Sequence, residues 1–486
     1  MALERKINLP LIFRTEGFLL LIEGLFMLLV IPVTYLYHGV NAYSIPFSAL
    51  ITLMTGFILV FATRGRKGET IRPRDGMIIV SLSWVVLSVF GGMPYLMGNY
   101  VPNFTDAFFE ALSGFTTTGA SIIPDVESLP KDILFWRCMT QWIGGIAIVV
   151  FTVAILPFLG MSGMQLFVSE MNGITYDKLH PRIMHTAKRI WAIYLILTIL
   201  EVVLLNLGDM DLYDSICHSM STISTGGFST RNLNMAAFSN YSQVVVTVFM
   251  VLAACNFCLL LLSVTWKSFN ILRNHEFQIL VQYVLVIGIS IALTLIFIEK
   301  KSAGSSFRMA FFSVVSSLTT TGFYVTDYLR WPVYLWVTLL LLMFIGGCSG
   351  STSGGVKIIR HLMFLKNALL ELKRIVHPNA VMPVNINRKS VSSNVVYKNL
   401  TFIFVFVMIF VIGTLALYGM GIDFDTAIGA SSAAICNTGM GIGRVGPFGS
   451  YAFLPQIAKW LLSLFMLLGR VELFPLIIIF TRNFWR

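Results

Sequence analysis

Thr116-Thr117-Thr118-Gly119-Ala120, Ser224-Thr225-Gly226-Gly227-Phe228, Thr319-Thr320-Thr321-Gly322-Phe323 and Asn437-Thr438-Gly439-Met440-Gly441 are four versions of one short signature, and their setting decides the fold. Aligned on Thr-Gly, the shared glycines are Gly119, Gly226, Gly322 and Gly439. An apolar segment precedes each signature, at 105–115, 214–223, 307–318 and 425–435. All four are too short to cross roughly 30 Å of hydrocarbon, so they predict re-entrant half-helices. Asp106, Asp214 and Asp425 stand near three of the starts, where an acid suits both the cap and the dipole; the third segment offers Ser305 or Ser306.

Longer apolar runs lie outward from these segments, near 17–37, 44–62, 76–98, 134–159, 190–207, 243–265, 278–298, 331–345, 400–420 and 456–481. The repeating unit is therefore span, half-helix, Thr-Gly turn, span. It occurs at 71–165, 166–270, 271–385 and 386–486, behind a two-span segment at 1–70. The first run is too long for a cleaved signal and no small-residue cleavage site follows it, so a permanent span is expected. Composition agrees: 56% of the 486 residues are hydrophobic and 12% charged, whereas soluble domains run near one quarter charged. An all-α polytopic membrane protein follows.

The net charge is +11, and the basic residues sit between spans, at 64–74, 178–189, 267–273 and 357–398. Loops at 208–214 and 419–425 are poorer in them. That alternation is a positive-inside pattern and predicts cytoplasmic termini; it leaves no reason to invoke nucleic acid. One loop, 299–308, dissents with Lys300, Lys301 and Arg308 on the outer side. Cys255 and Cys258 form a C-x-x-C inside an apolar span without a second pair, so small core side chains are expected rather than a zinc site.

Irregular backbone at membrane depth is tolerated only where protein buries it or a water-filled cavity borders it. Four such turns about a pseudo-fourfold axis would surround one narrow passage. Half-helices entering from outside point their partially negative ends inward and favour a cation at their focus. Carbonyls of the turns, and threonine hydroxyls, can then replace hydration water. Small-residue motifs also serve plain helix packing, but four at matching places in four units point to a pore.

On these motifs the chain resembles the Trk/Ktr/HKT potassium transporters, specifically the bacterial TrkH-type membrane subunit. The resemblance implies a fold like a potassium channel with a simpler selectivity filter, two extra N-terminal spans, and a homodimer with one pore per protomer. It also implies a bacterial inner membrane. Potassium is the implied cargo, since a serine at the first filter glycine accompanies sodium transport in related proteins and this chain has Gly119 there. The departures are Ile223, where threonine is expected, and Cys436-Asn437 in the fourth loop.

The span after the third signature is interrupted by Gly346-Gly347-Cys348-Ser349-Gly350-Ser351-Thr352-Ser353-Gly354-Gly355, a run that cannot be stable helix. Lys357 follows Val356, so no Gly-Lys-Ser/Thr phosphate loop exists here. A mobile intramembrane gate is expected, as the resemblance implies for the matching loop. Arg470 stands within the last span, where a charge costs at least about 2.5–3.5 kcal/mol. The resemblance places it in the pore beneath the filter, paired with the loop. Glu472 lies two residues away and does not face it on a continuous helix. Lys459 and Glu201 are further intramembrane charges without an assigned role.

Lys357, Arg360, Lys366, Lys373 and Arg374 form a basic tail that lipid headgroups account for. The resemblance offers cytosolic nucleotide-binding TrkA-type subunits as regulators instead, since no nucleotide fingerprint or other cofactor motif occurs in this chain. Two rivals remain. A coupled secondary transporter predicts paired repeats and intramembrane acids, with proton or sodium symport possible. A membrane-embedded enzyme predicts paired carboxylates, a histidine-rich metal cluster or a Ser/His/Asp set, and none stands at convincing depth.

Overall fold

The computed structural model describes residues 7–37, 41–64, 72–154, 179–265, 270–380, 382–387 and 389–485. The expected end of one span at 155–159 and the boundary between the first two repeats at 165–166 lie outside the described residues, as do parts of the basic loops at 65–71, 178 and 267–269.

The regular structure among the described residues is helical apart from one antiparallel hairpin, in which Val384–Ile386 pairs with Lys389–Val391. Leu9–Leu36 and Ser44–Ala62 form the N-terminal hairpin, joined tightly because Gly17, Gly24 and Gly56 leave no room for a Cβ between them. Four short helices follow, at Phe104–Phe115, Leu212–Ile223, Ala303–Leu318 and Phe424–Ile435. Each is almost wholly buried along its second half, and each lies between a preceding span and a following one. The preceding spans are Pro73–Gly91 with its extension Met93–Met97, Leu179–Asn206, His275–Phe297 and Ser393–Gly419. A chain of this kind is a multi-pass membrane protein with four span, half-helix, span units.

The helix starts differ from the expected ones. Asn103, Asp211 and Asp423 are the caps, each side chain accepting a hydrogen bond from the backbone N–H three residues on. Asp106, Asp214 and Asp425 instead stand inside the first turn. The third helix begins at Ala303, ahead of Ser305 and Ser306, with Ser302 at its cap position. The earlier start fits the charges, because a first-turn acid still complements the helix dipole.

Among the described residues the second halves of three units are broken, not one. Lys131–Ala154 runs on as a single helix after the first loop. The second gives Asn240–Ala253 and then Phe257–Thr265, the third Val333–Ile345 and then Ile358–Val376, and the fourth Gln456–Arg470 and then Phe474–Ile479. The runs 243–265 and 456–481 are therefore not continuous spans. Asn256 restarts the second helix by accepting from the N–H groups of Cys258 and Leu259. Glu472 and Leu473, both at positive φ, turn the fourth.

Lys459 has a defined partner. Its Nζ lies 2.6 Å from Asp106 Oδ1, both side chains are buried, and the pair ties the fourth unit to the first. Lys459→Met leaves Asp106 buried and unpaired, a loss of about 3–5 kcal/mol. The variant is expected to lose monodispersity in detergent at a clearly lower temperature than wild type. Lys459→Met combined with Asp106→Leu removes both charges and is expected to regain most of that loss.

Candidate functional site

Every short helix ends in the same way. The residue two after its last helical residue takes a left-handed conformation: Thr117 (φ 52), Thr225 (φ 54), Thr320 (φ 55) and Asn437 (φ 53). Their N–H groups donate to the carbonyls of Gly114, Thr222, Ser317 and Ala434. The next N–H groups, of Thr118, Gly226, Thr321 and Thr438, donate to Ser113, Ser221, Ser316 and Ala433. This is the two-bond closure in which glycine ordinarily holds the left-handed place. Three threonines hold it here, at about 1–3 kcal/mol each, and in the fourth loop an asparagine, which tolerates the conformation better. The closure turns the N–H groups back to the helix. No donor reaches the carbonyls of Thr117, Thr118, Thr225, Thr320, Thr321, Asn437 and Thr438 among the described residues.

The next left-handed positions are Gly119 (φ 84), Gly227 (φ 81), Gly322 (φ 84) and Gly439 (φ 77). In the second loop the matching glycine is thus Gly227, and Gly226 occupies the place of Thr118, Thr321 and Thr438. Alignment on Thr-Gly displaces that loop by one residue. The shift also explains Ile223: it is the last residue of its helix, matching Phe115, Leu318 and Ile435, so it is not part of the turn.

These glycines close a ring. A Cβ on Gly119 would lie under 3.0 Å from the Gly226 carbonyl oxygen, on Gly227 from that of Thr321, on Gly322 from that of Thr438, and on Gly439 from that of Thr118. Each loop rests on the next in cyclic order, which is direct evidence of the pseudo-fourfold arrangement. Hydroxyl pairs stiffen two loops, Thr116 with Thr118 at 2.8 Å and Thr319 with Thr321 at 2.7 Å. In the fourth, Asn437 Nδ2 donates to Thr118 Oγ1 and to the Met466 carbonyl. Cys436 offers its carbonyl to the loop below.

The Gly346–Gly355 segment lies directly under this ring. Gly355 N donates to the Cys436 carbonyl and Gly354 N to Thr320 Oγ1. Thr352 Oγ1 reaches the carbonyls of Ile223 and Ala253. Cys348 N donates to Ala254 and Gly350 accepts from Phe257 N, so the break in the second unit is hydrogen-bonded to this loop. Gly347 N donates to Ser353 Oγ, which is bonded to Ser351 Oγ; Ser349 N donates to Glu276. Arg470 joins the same set, donating from Nη1 to the Thr352 carbonyl at 2.8 Å and from Nη2 to that of Gly144 at 3.2 Å.

Lys357 and Arg360 do not belong to an exposed tail. Lys357 is buried at φ 80, its Nζ donating to the Ser353 carbonyl. Arg360 is buried against Glu472 at 2.5 Å and over the Phe402 ring. Lys366 and Arg374 bond backbone carbonyls at Asn385 and Met382, which leaves Lys373 as the tail residue free to meet a lipid headgroup. A basic run on a helix start resembles a solvated tail in sequence, and only the neighbouring break exposes the carbonyls that draw the first two inward.

Two further groups escape a sequence reading. Glu110 and Arg137 form a buried ion pair at 2.9 Å behind the first loop, and Glu110 also accepts from Ser121 Oγ and Ile122 N. Tyr451 and Tyr328 donate their hydroxyls to the carbonyls of Gly439 and Gly441. An acid one turn inside a pore-helix candidate was the available signal for the pair; nothing marked the tyrosines.

Four re-entrant loops closing one passage, with unbonded carbonyls facing a glycine ring and a polar loop below, define a membrane protein of the ion-conducting pore-loop class. The chain belongs to the TrkH family, described as Cation transport protein, whose pattern matches residues 47–486. It is 40% identical over 487 residues to the Trk system potassium uptake protein TrkH of Vibrio parahaemolyticus, covering 98% of this chain and 99% of that one. It is 38% identical over 481 residues to the protein of that name in Salmonella typhimurium, with 98% and 99% covered. The crystal structure of the potassium transporter TrkH from Vibrio parahaemolyticus matches with a TM-score of 0.90 at 37% identity, covering 99% of this chain and all of the other.

Gly144 tests the packing under the ring. A Cβ there would meet the Phe115 backbone under 3.0 Å, whereas one on Gly304 would meet nothing within 4 Å. Gly144→Ala is expected to destabilise by about 1–3 kcal/mol or more. Gly304→Ala is expected to be neutral or stabilising. Thermal loss of the monodisperse peak, compared side by side, checks both.

Proposed function

We propose that this protein takes up potassium through the ring of four loops, with Gly346–Gly355 and Arg470 as the gate below. The observation that carries the reading is the cyclic contact of each loop's glycine with the next loop's carbonyl, beside carbonyls that no donor among the described residues uses. The selectivity filter is then Thr116–Gly119, Ser224–Gly227, Thr319–Gly322 and Cys436–Gly439. Potassium as the cargo is supported by the printed names of the relatives. A passage lined by neutral carbonyls binds a cation without holding it too tightly to leave.

The buried guanidinium of Arg470, bonded to the loop at Thr352, supports a charge barrier that the loop carries with it. A homodimer and a cytosolic TrkA-type regulator are part of the proposal, supported by the exposed apolar stripe of Leu365, Leu369, Leu372 and Val376 on the helix below the gate. So are the inner-membrane location, the cytoplasmic termini and the repeat boundaries near 70, 165, 270 and 385. A second reading, coupling of uptake to protons or sodium, draws on the buried carboxyls of Glu23 and Glu201, of which Glu23 has no hydrogen-bond partner among the described residues.

Vesicles holding the purified protein are expected to take up rubidium-86, with potassium competing strongly and sodium weakly. Gly119→Ser, which sets a side chain against the Gly226 carbonyl at a left-handed position, is expected to abolish that preference. Uptake that ignores this variant, or that demands a proton gradient, favours the coupled reading. Arg470→Ala, and separately a loop shortened within 346–355, are each expected to raise rubidium flux several-fold. Unchanged flux and regulation in both variants would remove the gate.

A further inference from the structure

Gly226 has no conformational reason to be glycine. Unlike Gly119, Gly227, Gly322 and Gly439, it is not at positive φ. Its neighbours on the matching layer are Thr118, Thr321 and Thr438, so the second loop lacks a hydroxyl-bearing side chain where the others have one. The space is not empty. A Cβ on Gly226 would fall under 3.0 Å from Cδ, Oε1 and Nε2 of Gln141, a residue of the first unit's long second helix.

Gln141 is fully buried, and both ends of its amide are committed to this loop. Nε2 donates to the Gly226 carbonyl at 2.7 Å, and Oε1 accepts from Phe228 N at 3.1 Å. One turn earlier on the same helix face, Arg137 lies over the Phe228 ring at 4.1 Å and donates to the Ser229 carbonyl at 3.5 Å. The first and third loops are stiffened instead by their own hydroxyl pairs.

We propose that Gln141 is the side chain the second loop lacks: a positioning residue, supplied by the neighbouring unit, that sets the Gly226 carbonyl in the ring and thereby the ion preference. The proposal rests on the ring being the selectivity filter, and it adds an asymmetry to it. The Gly226 carbonyl is the member of its layer that a protein donor already engages, so it offers a bound ion a weaker ligand than Thr118, Thr321 and Thr438. Glycine at 226 and glutamine at 141 are one device divided between two units.

The test is the ratio of rubidium to sodium uptake in vesicles, measured for wild type, Gln141→Ala, Gln141→Met, Gly226→Thr and the double variant Gln141→Ala with Gly226→Thr. Gln141→Ala is expected to lower the ratio about tenfold, the scale of a buried hydrogen bond lost. Gln141→Met keeps the volume and is expected to lower it as well, which separates bonding from packing and covers the case in which the smaller residue fails to fold. Gly226→Thr alone collides with the amide and is expected to lose uptake. Together with Gln141→Ala it restores a hydroxyl beside Ser224 and is expected to recover most of the ratio. An unchanged ratio in Gln141→Met, or a double variant no better than Gln141→Ala, overturns the proposal. Wild type that takes up rubidium and sodium alike would instead overturn the filter reading on which it rests.

Discussion

The contact of four glycine Cα atoms with four carbonyl oxygens is the constraint from which the rest of this structure follows. It works only if each loop can approach its neighbour without a Cβ, and only if each loop's own N–H groups are occupied elsewhere. The helix closures meet the second condition by drawing those groups back to the preceding turn. They force three threonines into a conformation such residues avoid, while Asn437 tolerates it, and burial on all sides holds them there. The surrounding spans serve this arrangement. Gly144 and Gly469 lie against the backbone of Phe115 and Ile435, bringing second helices close behind the loops.

Below the ring, the chain breaks in three of the four units, and the breaks are bonded to one another rather than to solvent. The second unit supplies the carbonyls of Ala253 and Ala254 and the N–H of Phe257 to the loop of the third. The fourth supplies Arg470 and, within its own turn, Glu472 for Arg360. Backbone groups freed by a break at membrane depth must find partners within the protein, and here they find each other. The first unit, whose second helix is continuous over its described residues to Ala154, contributes Gln141, Arg137 and the Gly144 carbonyl to its neighbours.

The repeat, the half-helices and the polar interruption after Ile345 are legible in the sequence, because segment length and the loss of apolar residues are local properties. The register of the second loop is not. With Gly226 and Gly227 adjacent, a Thr-Gly match selects the wrong one, and only backbone angles distinguish a glycine needed for its conformation from one needed for its emptiness. The breaks after Ala253 and Arg470 carry no glycine cluster; Asn256, and a pair of left-handed residues ahead of Pro475, make them. Lys459 and Arg360 read as loose charges because their partners stand 353 and 112 positions away, at distances a linear reading does not measure; Lys357 bonds Ser353 only four positions back, but through a carbonyl that the broken helix leaves free.

The polar loop under the ring has one consequence for how the protein must work. Gly354 and Gly355 donate hydrogen bonds to Thr320 and Cys436, so the loop proposed as the gate is also a strut for two corners of the ring above it. A displacement of Gly354 and Gly355 away from the ring breaks both bonds. On the proposed gate and filter, throughput and discrimination are then set by a single displacement: the wider the way out, the less firmly the third and fourth corners are braced while ions cross.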